Sequence, residues 1–180
     1  DSTNACMLVA GEKGVDVNCH AETDWGPSGS VRGMSPLGIG PVLKDRSATN
    51  YGLISCLSYL DDKGFGPSLV HRNGVTRARM FQEIGVAAQC NCADDSSLAA
   101  ALDILDTTLG TDLGNMKGDY VCGQYTLADA VWAGVCQVAT NMGKGNAISS
   151  RSRVNTWFAA VQSHPSTSKE AINPFSCMST

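Results

Sequence analysis

Beyond residue 74 the chain repeats one pattern four times: apolar residues at helical spacing, with polar residues between them. A series of that kind leaves room for little but packed helices. Leu98, Leu102, Leu105 and Leu109 stand at i, i+4, i+7 and i+11, on one face of a helix. Leu127, Val131, Val135 and Val138 form a second stripe, and Val154, Trp157, Phe158 and Val161 a third that Pro165 closes. A helix over about 75–92, with Ile84 and Ala88 turned inward, precedes them.

The first third carries mixed signals. Residues from about 5 to 13 read as a helix ending at Gly14, a residue suited to a left-handed C-cap. Val15–Cys19 alternates in apolar character, which predicts a strand. Gly, Ser and Pro accumulate over 26–40 and predict loop. Pro41 to Asp45 reads as a short strand with its proline at the first position, where a lost ladder donor matters least. Leu53, Cys56, Leu57 and Leu60 predict a helix stopping near Gly64, and the breakers from Gly64 to Gly74 predict a linker. The expected organisation is an α/β unit over 1–66, a linker over 67–74, an all-helical unit over 75–165 and a tail over 166–180.

Composition narrows the function classes. The 180 residues are 43% hydrophobic and 17% charged, too apolar for a disordered chain. Thirteen basic and 17 acidic residues give a net charge of −4, with no run of Lys or Arg, so nucleic acid is not an expected partner. No apolar run approaches the roughly 20 residues of a membrane span. The eight cysteines sit mostly inside apolar segments, as small core hydrophobes in a reducing intracellular compartment do. Cys90-Asn-Cys92 has no histidine at ligand spacing, so no metal site is expected.

Three segments, in order, resemble the glutathione S-transferase superfamily. Met34-Ser-Pro-Leu-Gly-Ile-Gly-Pro-Val-Leu43 is similar to the family segment whose second proline follows a cis peptide bond and leads into a strand. Tyr59-Leu60 with Asp62-Lys63, followed by Arg77-Ala-Arg-Met80, is similar to the end of one family helix and the start of the next. Thr126-Leu-Ala-Asp129 before an apolar helix, with Val154-Asn-Thr-Trp157 and His164-Pro165 downstream, resembles the family's capping box and its Trp helix. The resemblance covers roughly residues 5–165. It implies a shortened thioredoxin-like N-terminal domain (α/β) followed by an all-α C-terminal domain. In the capping box, Thr126 and Asp129 satisfy two amides at a helix start, a folding feature whose loss costs roughly 0.5–2 kcal/mol.

The resemblance also says where glutathione would bind, and there the chain departs from the pattern. Counting from Asp45 to Tyr59 places the family's acid–hydroxyl pair, which grips the γ-glutamyl group, on Gly52-Leu53, and neither offers a side-chain partner. Each charge-assisted hydrogen bond lost from a ligand is worth on the order of 1.5–3 kcal/mol. Gly40 and Pro41 keep the backbone element. The helix over 5–13 matches the family's first helix, so the strand expected before it is missing or lies upstream of Asp1. The nominal thiol-activating residue is then Ser2, Thr3, Cys6 or a residue further upstream; a place at the helix start would lower the Cys6 pKa, while a place on the buried side of that helix would make it a structural cysteine. A chain opening on Asp1 is also what a processed, organelle-imported protein shows. The resemblance and its departures imply a non-catalytic accessory subunit or adaptor of a larger protein assembly, without cofactor; Arg77 and Arg79 would line a homodimer face by the same resemblance, or else stand on a solvated helix start. The alternative is an active glutathione-dependent transferase or thiol transferase, with glutathione as cosubstrate.

Overall fold

Helix α1 (Ser2–Glu12) has no polar face: every residue from Asn4 to Gly11 is buried. A helix apolar all round must be enclosed rather than laid on a surface, and the rest of the molecule supplies that enclosure. The computed structural model describes residues 2–19, 34–35, 40–46, 48–111 and 118–164. After α1 come β1 (Val42–Asp45), β2 (Ala48–Tyr51), α2 (Leu53–Lys63), α3 (Gly74–Gln89), α4 (Asp95–Gly110), α5 (Leu127–Asn141), α6 (Gly145–Ser149) and α7 (Ser152–Gln162). The expectations for most of the 26–40 loop, for Pro165 and for the 166–180 tail lie outside the described residues.

The two strands pair antiparallel with Val42 opposite Tyr51 and Asp45 opposite Ala48. The strand expected over 15–19 is corrected to extended coil: Val15 and Val17 turn inward and Asp16 and Asn18 outward, but no ladder joins this segment to another among the described residues. The alternation was read correctly; a strand also needs a partner. The polar Ala48–Tyr51, by contrast, pairs along its whole length, since a hairpin strand with one exposed face needs few apolar residues.

Helix α1 packs against α2 on one side and α5 on the other. Its C-terminal end carries Lys13, almost wholly buried, whose ammonium lies 3.1 Å from Asp61 Oδ1 and donates to the Pro67 carbonyl at 2.9 Å. Asp61 also accepts from the Ser68 hydroxyl at 2.6 Å and the Leu69 amide at 2.9 Å. The two segments approach so closely that a Cβ at Gly64 would fall 2.2 Å from the Cβ of Lys13. Only glycine fits that contact.

In the helical part every residue from Leu127 to Cys136 in α5 is buried. Two buried carboxylates tie its neighbours to it. Glu83 of α3 accepts from the Trp132 indole at 3.2 Å and from Thr108 of α4 at 2.9 Å. Asp129 accepts from four donors: the amides of Val121 and Thr126 and the Trp157 indole, each at 2.9 Å, and the Thr126 hydroxyl at 3.0 Å. Both halves of the expected capping box are formed, and the same carboxylate also anchors α7. Burial pushes the Asp129 pKa up, and the four donors oppose that push.

Several boundaries differ in detail. Helix α3 ends at Gln89 rather than near Cys92, because Asn91 turns the chain through its own side chain, accepting from the Ala93 amide at 3.1 Å. Ala87, not Ala88, accompanies Ile84 on the inner face. Leu109 and Val138 are half-buried at the ends of their stripes.

Two outcomes follow from these contacts. Asp129→Ala leaves two amides and an indole N–H without acceptors, so urea unfolding should show a loss of about 3 kcal/mol or more; Asp129→Asn, which keeps one oxygen, should lose less. For Asp61, burial raises the pKa, but the hydroxyl, amide and ammonium donors outweigh it and hold the carboxyl below its ordinary value. The folded pKa therefore lies below the unfolded one. The stability that Asp61 contributes is present above about pH 4 and fades as pH falls through the lowered value. The urea midpoint of wild type should fall more steeply below pH 4 than that of Asp61→Asn.

Candidate functional site

The short hairpin, α1 and α2 surround a cavity of about 640 Å³. Its walls are Ser2, Thr3, Cys6 and Met7 of α1, the extended segment 15–19, Gly40-Pro41 with β1, and Tyr59, Leu60 and Lys63 from the C-terminal half of α2. The Gly40–Pro41 peptide bond is cis. Of the residues singled out from the sequence for glutathione, the fold brings Ser2, Thr3, Cys6, Gly40 and Pro41 to this one cavity.

Gly52 and Leu53 do not line it. Gly52 precedes α2 with φ 80° and ψ 150°, and its amide donates to the Pro41 carbonyl at 2.9 Å. That backbone region is essentially confined to glycine. The Leu53 side chain is half-buried against the core. The N-terminus of α2 thus has no side-chain cap, and neither residue presents an acid or a hydroxyl.

Cys6 is not a helix-start thiolate. It sits in the second turn of α1, 8% exposed, and its thiol hydrogen-bonds to the Cys56 sulfur. That bond, with burial behind it, pushes the Cys6 pKa well up, opposite to the lowered value expected from its place near the helix start. Cys56, buried on α2, shifts the other way: the hydrogen bond from Cys6 lowers it against its burial, helped by the Leu43 amide. Ser2 is half-buried at the first position of α1.

The strongest charges on the cavity wall were not picked out as site residues from the sequence. Asp45 ends β1, and its Oδ2 accepts from Tyr59 at 2.5 Å and from the Lys63 ammonium. Tyr59 and Lys63 stand at i and i+4 on α2, one above the other. The spacing from Asp45 to Tyr59, used for register, was the signal that could have found this cluster. Among the described residues no group of three or more His, Cys, Asp or Glu is arranged to hold a metal ion. No described helix is long and apolar enough to cross a membrane.

The Lys63 ammonium first, and the Tyr59 hydroxyl second, hold the Asp45 carboxyl below its ordinary pKa. Lys63→Met should therefore raise the Asp45 titration midpoint toward about 4, as read by carbon NMR of its carboxyl; an unmoved midpoint would contradict the assignment.

No family model and no curated protein sequence matches the chain. Solved structures do. Glutathione transferase F2 from Populus trichocarpa superposes with a TM-score of 0.71 at 18% identity, covering 93% of this chain and 91% of that one. Maleyl pyruvate isomerase, a bacterial zeta-class glutathione S-transferase, gives 0.75 at 15% identity over 93% and 91%. A delta-class glutathione transferase of Nilaparvata lugens gives 0.72 at 21% identity over 95% and 88%. The likeness extends over both parts of the molecule and across several classes of transferase, and at these identities it is a likeness of fold: a short thioredoxin-like unit followed by a helical one, the fold of the glutathione S-transferases.

Proposed function

We propose that the chain is a non-catalytic protein of glutathione-transferase fold, kept for its shape as an accessory subunit or adaptor in a protein assembly of a reducing intracellular compartment. One observation carries this reading. At the junction of β2 and α2, where the resemblance would put an acid and a hydroxyl, stand a glycine in a glycine-only backbone conformation and a leucine turned to the core. The cavity, in turn, runs from Pro41 toward the far end of α2 rather than toward Leu53. A tripeptide laid on Gly40-Pro41 would find its charged γ-glutamyl end without side-chain partners at 52 and 53, at a cost on the order of 1.5–3 kcal/mol for each bond missing.

The alternative, a glutathione-dependent transferase or thiol transferase, has its own support. Ser2, Cys6 and the cis Gly40–Pro41 peptide meet at one cavity, and the superposable structures include transferases and isomerases. The two readings separate on one titration. Calorimetry of glutathione into the full protein should give millimolar or no binding, with no conjugation of a chloronitroaromatic electrophile. A micromolar dissociation constant, or conjugation that Ser2→Ala or Cys6→Ala abolishes, would replace the accessory reading with the enzymatic one.

A further inference from the structure

Helix α3 lies on the core through one side, where Met80, Glu83, Ile84 and Ala87 are buried. Its opposite side is uncharged over most of its length. Ala78, Gln82, Gly85 and Gln89 stand there at i, i+4, i+7 and i+11. Val75 and Phe81 flank them, 73% and 37% exposed. No exposed residue of α3 from Ala78 onward carries a charge, although the outer face of a surface helix is ordinarily where charges gather. Gly85 sits within this strip, and a Cβ on it would meet nothing within 4 Å. With no side chain there, a second helix can come close.

The charges stand at one end of the strip. Arg72 and Arg77 are exposed, and neither takes part in an ion pair among the described residues. Arg79, expected beside Arg77 on the same surface, turns instead toward α4, where its Nη2 donates to the Thr108 carbonyl at 3.3 Å. The helical part has no carboxylate to spare for the two exposed arginines. Glu83 and Asp129 are engaged by the indoles and hydroxyls already described. On α4, Asp95 pairs with Lys144 at 2.7 Å, Asp103 with Arg151 at 2.7 Å and Asp106 with Arg153 at 2.9 Å. Every carboxylate on α3–α7 thus has a partner, while two cations of a chain with net charge −4 have none.

We propose that the outward face of α3 is the surface by which the chain docks in its assembly, and that its occupant is an amphipathic helix of a partner subunit, with small apolar residues along one side and Asp or Glu at the end that meets Arg72 and Arg77. This rests on the accessory reading and names the chemistry of the partner. The two parts of the surface act differently. The 16 residues of α3 extend for about 24 Å, and the uncharged strip supplies apolar contact that is indifferent to direction. The arginines supply the direction, because only a helix with its acids at the start of α3 meets them. Exposed ion pairs of this kind contribute more to orientation and association rate than to affinity. A second copy of the chain would bring the same arginines and no unengaged carboxylate on α3–α7, so the occupant is a different chain.

The test uses the full protein and a fluorescein-labelled peptide of 16 residues, matching the length of α3, built from Ala, Leu and Glu with its apolar residues at helical spacing and its glutamates at one end. Two control peptides carry Lys in place of Glu, or the same composition in scrambled order. Fluorescence anisotropy at low salt should show the acidic amphipathic peptide binding about tenfold or more tightly than either control, with affinity falling as salt rises. Arg72→Ser with Arg77→Ser should remove the salt dependence and the preference over the lysine peptide. Ala78→Arg should abolish binding, with an unchanged melting temperature in both variants to show that the fold is kept. Equal binding of all three peptides, binding that survives Ala78→Arg, or no binding would overturn the proposal. So would a concentration-dependent dimer in sedimentation that Ala78→Arg dissolves, since a second copy would then cover α3. The glutathione titration judges the accessory reading separately: no peptide binding together with no glutathione binding removes this surface alone, whereas micromolar glutathione binding removes the reading beneath it.

Discussion

A helix with no face to show to water sets the terms for the rest of the molecule. Because α1 is buried from Asn4 to Gly11, it needs α2 and α5 on its flanks, and neither part of the molecule can close its core without it. The constraint extends to its end. Lys13 is drawn inside with the helix, and an ammonium there would be costly alone. Asp61 and the carbonyl of Pro67 meet it, which fixes the segment after α2 and demands a glycine at 64. A single apolar helix thereby dictates a buried ion pair and the course of the chain between the two parts.

Polar groups do the same work in the helical part. The indoles of Trp132 and Trp157 bring large apolar surface into the interior, and each brings one N–H that must be satisfied. Glu83 takes one and Asp129 the other. Both carboxylates hold a second element at the same time, so the register of α3, α4, α5 and α7 is set by direction as well as by volume. Asp129 shows how one residue of a helix-capping motif serves three segments. Its carboxylate closes the start of α5, orders the 121–126 turn and receives α7.

Much of this was legible in the sequence, for reasons that can be named. The stripes through Leu98, Leu127 and Val154 gave their helices because spacing on one face is a local property. Thr126 and Asp129 were readable because a capping box spans only four residues. The cis bond at Pro41 came from resemblance rather than periodicity. Less legible were properties that depend on distant chain. Val15–Cys19 has the alternation of a strand and no ladder partner among the described residues; the inner face of α3 carries Ala87 rather than Ala88, a shift of one residue that periodicity does not resolve. Glu83 carries no local mark of its two donors, which lie 25 and 49 residues away. At the cavity, the sequence left Cys6 either a helix-start thiol or a buried cysteine; it is the buried one, and nothing local marks Cys56, fifty positions on, as the neighbour that raises its pKa.

The backbone at Gly52 has a bearing on how this surface can change over generations. With φ 80° and ψ 150°, any other side chain there costs roughly 1–3 kcal/mol in strain before it touches a ligand. Open space around the position does not relieve that cost, because the obstacle is the turn handing β2 to α2. An acidic substitution is therefore uphill as a first step and becomes neutral only after the turn itself has been rebuilt. Order of mutation, more than availability of mutation, then decides whether this edge of the fold ever acquires a charged grip, and the hydrogen bond from the Gly52 amide to the Pro41 carbonyl acts as a ratchet on its history.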